Sequence, residues 1–257
     1  MKITLRSMYD RFPPKFGESD RQVNMYVDNN VYFLADKDDP DAVCLLIEPR
    51  AIIPNTYTWV EEHFPKFRYV FTFDSQMLKD LPNAKLLIYG TIMAEFPDMP
   101  KTKEISMVCS DKDFCQGHLN RQRVARELTG IIDTFGKFKG EYVDDKTIYD
   151  GYRFNVAMEN YQDGHYFTEK ICNCFASKVI PIYYGCPNIG QYFNTDGIVI
   201  CDSPDDVIVK VQEILKAPEA EYEKRLDAMF DNFHRVQKYR RFEPLFMEMY
   251  ADLLEEK

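Results

Sequence analysis

YRFNVAMENYQDGHYFTEKICNCFASKVIPIYYG, residues 152–185, is the stretch on which the reading of this chain turns. It opens on a β-rich run, passes through a polar loop at Glu159–Thr168, enters a helical stretch at Glu169 and ends on a second apolar strand, Val179–Tyr184. A strand, a helix and a following strand make a parallel unit, because parallel neighbours need a long crossover between them. In an open α/β sheet, ligands bind at the carboxyl ends of strands and at the helix N-termini facing them. The polar loop falls there.

Thr168 is a suitable N-cap for the helix, and Ile171, Cys174, Phe175 and Val179 form the stripe it would bury. Glu169 and Lys170 then lie in the first turn. Free backbone N–H groups and the positive end of the helix dipole make that turn an anion site, which a lysine reinforces. A diphosphate fits such a site, and an ionised carboxylate beside it can accept from ribose hydroxyls. On spacing alone the same two residues also fit a solvated helix start, where Lys170 would contribute little to packing.

The same alternation extends upstream. Ile3–Arg6, Val31–Leu34, Val43–Ile47, Tyr69–Phe73 and Leu86–Tyr89 read as strands, with helices at Asn55–Phe64 and Ser75–Leu81 between them. Near-continuous apolar runs such as VCLLI predict parallel strands covered on both faces. After the proline- and charge-rich segment FPDMPKTKE, residues 96–104, the rhythm restarts with a strand Ile105–Cys109, a helix Leu119–Leu128, a strand Ile131–Thr134 and a strand Phe154–Met158. Downstream come a strand Ile198–Cys201 and a helix that Ser203 caps, with Pro204 first and Asp206 third. Apolar residues at helical spacing over Arg240–Leu254 predict a terminal helix. The expected organisation is an N-terminal α/β lobe at residues 1–100, a second at 101–236 and a docked helix at 237–257.

The 257 residues are enough for two lobes with their own cores, and 45% hydrophobic with 29% charged residues is ordinary globular composition. No apolar run approaches the roughly 18 residues of a membrane span, and MKITLRSMYDRF lacks a signal-peptide core, so a cytoplasmic protein is expected. Seven cysteines without C-x-x-C spacing suggest neither a disulfide framework nor zinc, and Cys172 and Cys174 read as packing residues. A net charge of −10 argues against a general nucleic-acid surface, leaving His118–Arg126, with Arg121, Arg123 and Arg126, as the one basic run. Asp36-Lys37-Asp38 and Asp111-Lys112-Asp113 have D-x-D spacing but lie in charge-rich turns, so no metal site is expected.

The opening stretch resembles the donor-binding motif of glycosyltransferase family 10, the α-1,3-fucosyltransferases. Its elements are Met158-Glu159-Asn160, Tyr166-Phe167-Thr168-Glu169-Lys170 and Pro181-Ile182-Tyr183-Tyr184-Gly185. Upstream, LNRQRVARELTGIIDTFGKFKG is similar to the family's Arg-bearing helix and strand end, with Arg121 and Arg123 at the basic positions. More faintly, LLIEPRAIIPN matches an acceptor-side strand whose end carries a glutamate, here Glu48. The chain departs from the pattern at Met158 and Tyr161, and the likeness is to bacterial or viral members more than Golgi ones.

The resemblance implies the GT-B arrangement, two doubly wound lobes facing across a cleft, with the nucleotide in the C-terminal lobe. It implies inverting transfer of a sugar, L-fucose from GDP-fucose, onto a glycan hydroxyl, with no cofactor or metal required. Arg121, whose planar fork can hold two phosphate oxygens, would clamp the diphosphate. Arg123, Glu159, Asn160, Tyr166, Thr168, Glu169 and Lys170 complete the implied donor site. Glu48 would be the general base, with a solvated strand-end glutamate as its other reading. Two rival functions stay open: another nucleotide sugar moved to an acceptor such as a hydroxylated DNA base, and a non-catalytic nucleotide-sugar-binding protein.

Overall fold

The structure is a computed structural model that describes residues 2–6 and 22–255. It divides into two compact units. One comprises the described residues of Met1–Tyr89, Asp163–His165 and Phe242–Lys257; the other comprises Gly90–Gln162 and Tyr166–Arg241.

The first unit is built on five parallel strands in chain order: β1 (Lys2–Arg6), β2 (Gln22–Val27), β3 (Ala42–Leu45), β4 (Tyr69–Thr72) and β5 (Ala84–Leu86). Helix α1 (Pro54–His63) follows β3 and α2 (Ser75–Asp80) follows β4. Side chains of β2 and β3 alternate between two cores, as the period of two in a strand requires. Tyr26, Ala42 and Cys44 pack with Tyr57, Val60 and Met77 from α1 and α2. Val23, Met25, Val43 and Leu45 face the opposite way.

The run VYFL, expected as a strand at Val31–Leu34, belongs instead to a 3-10 turn, Asp28–Leu34. Strand β2 stops at Val27 because Asp28 takes a left-handed φ of 49°, and its carboxylate accepts the N–H of Ile47 at 2.8 Å and of Glu48 at 3.2 Å. That tertiary contact overrides β propensity. Val31 and Leu34, one 3-10 turn apart, still fill the core. The last strand of this sheet begins at Ala84, upstream of the expected Leu86.

The second unit holds β6 (Lys103–Val108), α3 (Gln116–Leu128), β7 (Asp133–Phe135), α4 (Asp145–Tyr149), β8 (Tyr152–Met158), α5 (Glu169–Ala176), β9 (Ile180–Tyr184), β10 (Val199–Ile200), α6 (Pro204–Ile214), α7 (Pro218–Glu223) and α8 (Leu226–Arg235). Its sheet is parallel throughout, in the order β10-β9-β8-β6-β7. Chain order therefore reverses between β6 and β8, and helices lie on both faces. Val124, Ala125 and Leu128 of α3 join Val207 and Val211 of α6 against Met107, Phe154, Val156 and Ile182. Ser203 caps α6 as its sequence predicts, accepting the Asp206 N–H at 3.0 Å. β7 starts later than expected because the N–H groups of Ile131 and Ile132 bond back to Leu128 and finish α3.

After the second unit comes α9 (Phe242–Glu255), and the structure supplies the docking place that sequence left open. Phe242, Phe246 and Leu254 pack on Val23, Met25, Val27, Val43, Leu45 and Phe71, the second face of the first sheet. Strands laid down in chain order through right-handed crossovers put their helices on one face, so the other must be covered from elsewhere. In the first unit α9 does what a reversal of winding does in the second. Among the described residues, no helix is long and apolar enough to cross a membrane.

Candidate active site

The reversal between β6 and β8 makes a switch point at the carboxyl edge of the second sheet, the place where α/β folds bind ligands. The loops after β6 and β8 meet there with the first turns of α3 and α5. Gly117, in the first turn of α3, lies so close to the Asn160 carbonyl that a Cβ would collide with it. A Cβ on Gly185 would likewise strike the Tyr183 hydroxyl and Glu159. These two glycines let the backbone close around the site.

Arg121 is 7% exposed and turned inward from α3. Its Nη1 donates to the Met158 carbonyl at 3.3 Å and its Nη2 to Ser110 Oγ at 3.1 Å. Its Nε is buried without a hydrogen-bond partner in the protein. One turn earlier, His118 is 2% exposed, with Nδ1 3.4 Å from Cys115 Sγ and Nε2 3.4 Å from Asn160 Nδ2. Burial, and then the charges of Arg121, Lys112 and Lys170, push its imidazolium down to about 4. The imidazole is kept neutral by its burial first and by these positive neighbours second.

Thr168 caps α5 as expected. Glu159, 1% exposed, accepts the Thr168 N–H at 2.9 Å, the Thr168 hydroxyl at 2.8 Å and the Lys170 ammonium at 3.1 Å. The ammonium also donates to Thr168 Oγ1 at 2.9 Å and lies 3.4 Å from Glu169 Oε1. Burial lowers the Lys170 ammonium, but Glu159 and then Glu169 outweigh it and hold its pKa above the ordinary lysine value. Burial in turn raises the Glu169 carboxyl, while Lys170 and local hydrogen bonds bring it below its usual range. Tyr166 donates its hydroxyl to Asn160 Oδ1 at 2.6 Å. Lys170 was expected to matter little to packing; it balances a fully buried carboxylate instead.

The structure thus brings together Arg121, Glu159, Asn160, Tyr166, Thr168, Glu169 and Lys170, and adds Ser110 and His118, which sequence reading passed over. His118 was signalled by lying three residues before Arg121 on the same helix face. Arg123 is not brought to this corner: it is exposed and paired with Glu127 at 3.0 Å and Asp205 at 2.7 Å. Arg126 donates to Gln122 at 2.7 Å. The run His118–Arg126 is therefore no basic patch, since one arginine is buried and another is paired with acids. Among the described residues, no group of three His, Cys, Asp or Glu side chains is arranged to hold a metal.

Glu48 belongs to the first unit, beyond the carboxyl end of β3, and is half-buried. Its N–H donates to Asp28 and its carbonyl accepts the Tyr57 hydroxyl at 3.1 Å, so its backbone is fastened on both sides. Burial raises the Asp28 carboxyl to about 7, against the two N–H bonds it accepts, and Glu48 adds to the rise. Asp74 is engaged by Arg50 at 3.0 Å and by the Met77 N–H.

Two parallel α/β units, with cations gathered at a switch point, define the fold class of the GT-B glycosyltransferases. An α1,3-fucosyltransferase solved with GDP superposes with a TM-score of 0.54 at 16% identity, covering 84% of this chain and 75% of that one. TarM superposes with a TM-score of 0.63 at 10% identity, over 91% of this chain and 55% of that one. The model of glycosyltransferase family 10 (fucosyltransferase), C-terminal part, matches residues 99–227, half of the chain, and the protein belongs to that family. The α-(1,3)-fucosyltransferase FucT of Helicobacter pylori is 44% identical over 48 residues, 19% of this chain and 10% of that protein. A GDP-fucose protein O-fucosyltransferase 3 of Danio rerio is 34% identical over 65 residues, 25% of this chain. The matched stretches span only 10% and 14% of those two relatives' lengths.

Proposed function

We propose that this protein is an inverting glycosyltransferase that moves L-fucose from GDP-fucose onto a hydroxyl of a glycan acceptor. The observation that carries the reading is the buried Arg121 guanidinium, whose Nε has no partner in the protein, in one corner with Lys170 and the α5 N-terminus. Two cations and a helix dipole suit a diphosphate, and their charge makes a metal unnecessary. Glu169 accepts from the ribose hydroxyls, while Asn160 and Tyr166 line the donor. A related fold has been solved with GDP-fucose, at a TM-score of 0.52 and 15% identity.

The transfer is a single displacement. The acceptor oxygen bonds to the anomeric carbon as the bond from that carbon to the phosphate oxygen breaks. Glu48 takes the hydroxyl proton, and the electron pair leaves on GDP, where Arg121 and Lys170 stabilise it. Seven free cysteines accord with a reducing compartment, and we place the protein in the cytoplasm.

A thermal-shift panel of nucleotides tests the donor. A ligand at a hundred times its dissociation constant stabilises by roughly 2.7 kcal/mol. GDP and GDP-fucose should raise the midpoint, with UDP and CMP doing little. Equal shifts for every nucleoside diphosphate would show that the base is not read.

A further inference from the structure

The motif makes Glu159 look like a donor ligand, but its side chain has no exposed surface and both its oxygens are engaged. The proton order in this cluster follows from chemistry. An ammonium only donates, so at 2.9 Å Thr168 Oγ1 accepts from Lys170. The threonine hydroxyl must then give its own hydrogen to Glu159. Lys170, Thr168 and Glu159 form a directed chain that ends on a buried carboxylate.

We propose that Glu159 is a positioning residue for the donor site, setting through Thr168 both the place and the charge state of the Lys170 ammonium. The inference rests on the reading that Lys170 meets the donor's diphosphate. The groups facing that ammonium are the acids Glu159 and Glu169, with Arg121 and the neutral His118 on α3. Burial and Arg121 both favour losing the proton, and Glu159 leads the forces that retain it. Without it, Glu169 alone opposes burial and Arg121. The ammonium also loses one of its three anchors outright, and the Thr168 hydroxyl loses the carboxylate that orients it to accept from Lys170.

The test is the affinity for GDP between about pH 7 and about pH 10, a range below the ordinary lysine pKa. The parent, E159Q and E159Q/K170R are measured by calorimetry, each variant as a ratio to the parent so that titration of the nucleotide cancels. The E159Q ratio should worsen by about tenfold or more across the range. E159Q/K170R, whose guanidinium does not titrate, should show a flat ratio. An E159Q ratio independent of pH overturns the proposal. A K170A variant that binds GDP like the parent is a different failure, which removes Lys170 from the diphosphate site altogether. If E159Q does not fold, the Lys170 ε-methylene is titrated by NMR in the parent, assigned with K170R. It should remain charged beyond pH 10.5, the ordinary lysine value, and neutralisation below that overturns the proposal.

Discussion

Asn160 fixes the tautomer of His118. The Asn160 carbonyl accepts the Tyr166 hydroxyl at 2.6 Å, which turns its amide nitrogen toward His118 Nε2 at 3.4 Å. A side-chain amide nitrogen can only donate, so Nε2 presents a lone pair and the proton resides on Nδ1, facing Cys115. A neutral imidazole is thereby kept beside Arg121 and Lys170, where a third positive charge would repel both.

His118 should therefore titrate near 4 in the ligand-free protein. A bound diphosphate offsets the positive field, so saturating GDP should move that pKa upward. Two-dimensional NMR of the imidazole across a pH series reads both values. Asn160→Asp, which puts a carboxylate against Nε2, should raise the pKa without nucleotide. An imidazole that titrates near 6.5 with or without GDP would contradict the neutral assignment.

Lys170→Ala should weaken GDP binding by roughly 1.5–3 kcal/mol through loss of a charge-assisted contact. It should also destabilise the fold by roughly 3 kcal/mol, because it leaves Glu159 buried without its counter-ion. Adding Glu159→Gln to Lys170→Ala should return most of that stability but none of the affinity. Urea melts of the two single variants and the double variant form the cycle that checks the coupling.

The contrast between Arg121 and Arg123 shows where sequence reading succeeds and where it stops. The loop and helix from Glu159 to Ala176 were legible because capping, apolar stripe and charge agree locally. Two arginines two residues apart on a helix face different ways, and that rule was available to separate them. Which one pointed inward depended on Met158 and Ser110, contributed by β8 and the loop after β6, and no local pattern carries that. The misread strand at Val31–Leu34 has the same cause. Asp28 ends β2 by bonding to Ile47 and Glu48, about twenty residues away, and so lies outside any window of periodicity.

Asp28 should give the fold a pH dependence of its own. Its folded-state pKa of about 7 exceeds the unfolded value near 3.8, so the folded protein holds the proton more tightly. The resulting stability is fully present below about pH 4 and is lost as pH rises through about 7. Asp28→Asn keeps an acceptor for the Ile47 and Glu48 N–H groups and tolerates the left-handed backbone. The variant should be the more stable protein above pH 7, by a few kcal/mol, with its advantage shrinking toward pH 4. Denaturant melts at several pH values check this, and parallel curves for the two proteins would be inconsistent with a raised Asp28.

Glu48→Gln should lower turnover by about 10² or more while GDP-fucose affinity stays near the parent's. Glutamine keeps the shape and an acceptor oxygen but takes up no proton. Steady-state rates and calorimetric donor affinity, measured on the same preparation, separate the two effects. Normal turnover would exclude Glu48 as the base, and Asp74, already engaged by Arg50 and Met77, would be a poor replacement. Loss of affinity and rate together would assign Glu48 a structural role.

The packing of α9 against Val23, Met25, Val43, Leu45 and Phe71 sets the order in which the molecule can be completed as it is synthesised. The strands of the first unit leave the ribosome well before the helix that shields their second face, which is encoded after every strand of both sheets. Until Phe242 and Phe246 emerge, that apolar face stays open to water and to other nascent chains, a condition that favours aggregation. The second unit's strands and packing helices all precede α9 in the chain. The first sheet is therefore covered only after the second unit has been made, and a chain that stalls before the fourteen-residue α9 carries a half-covered sheet.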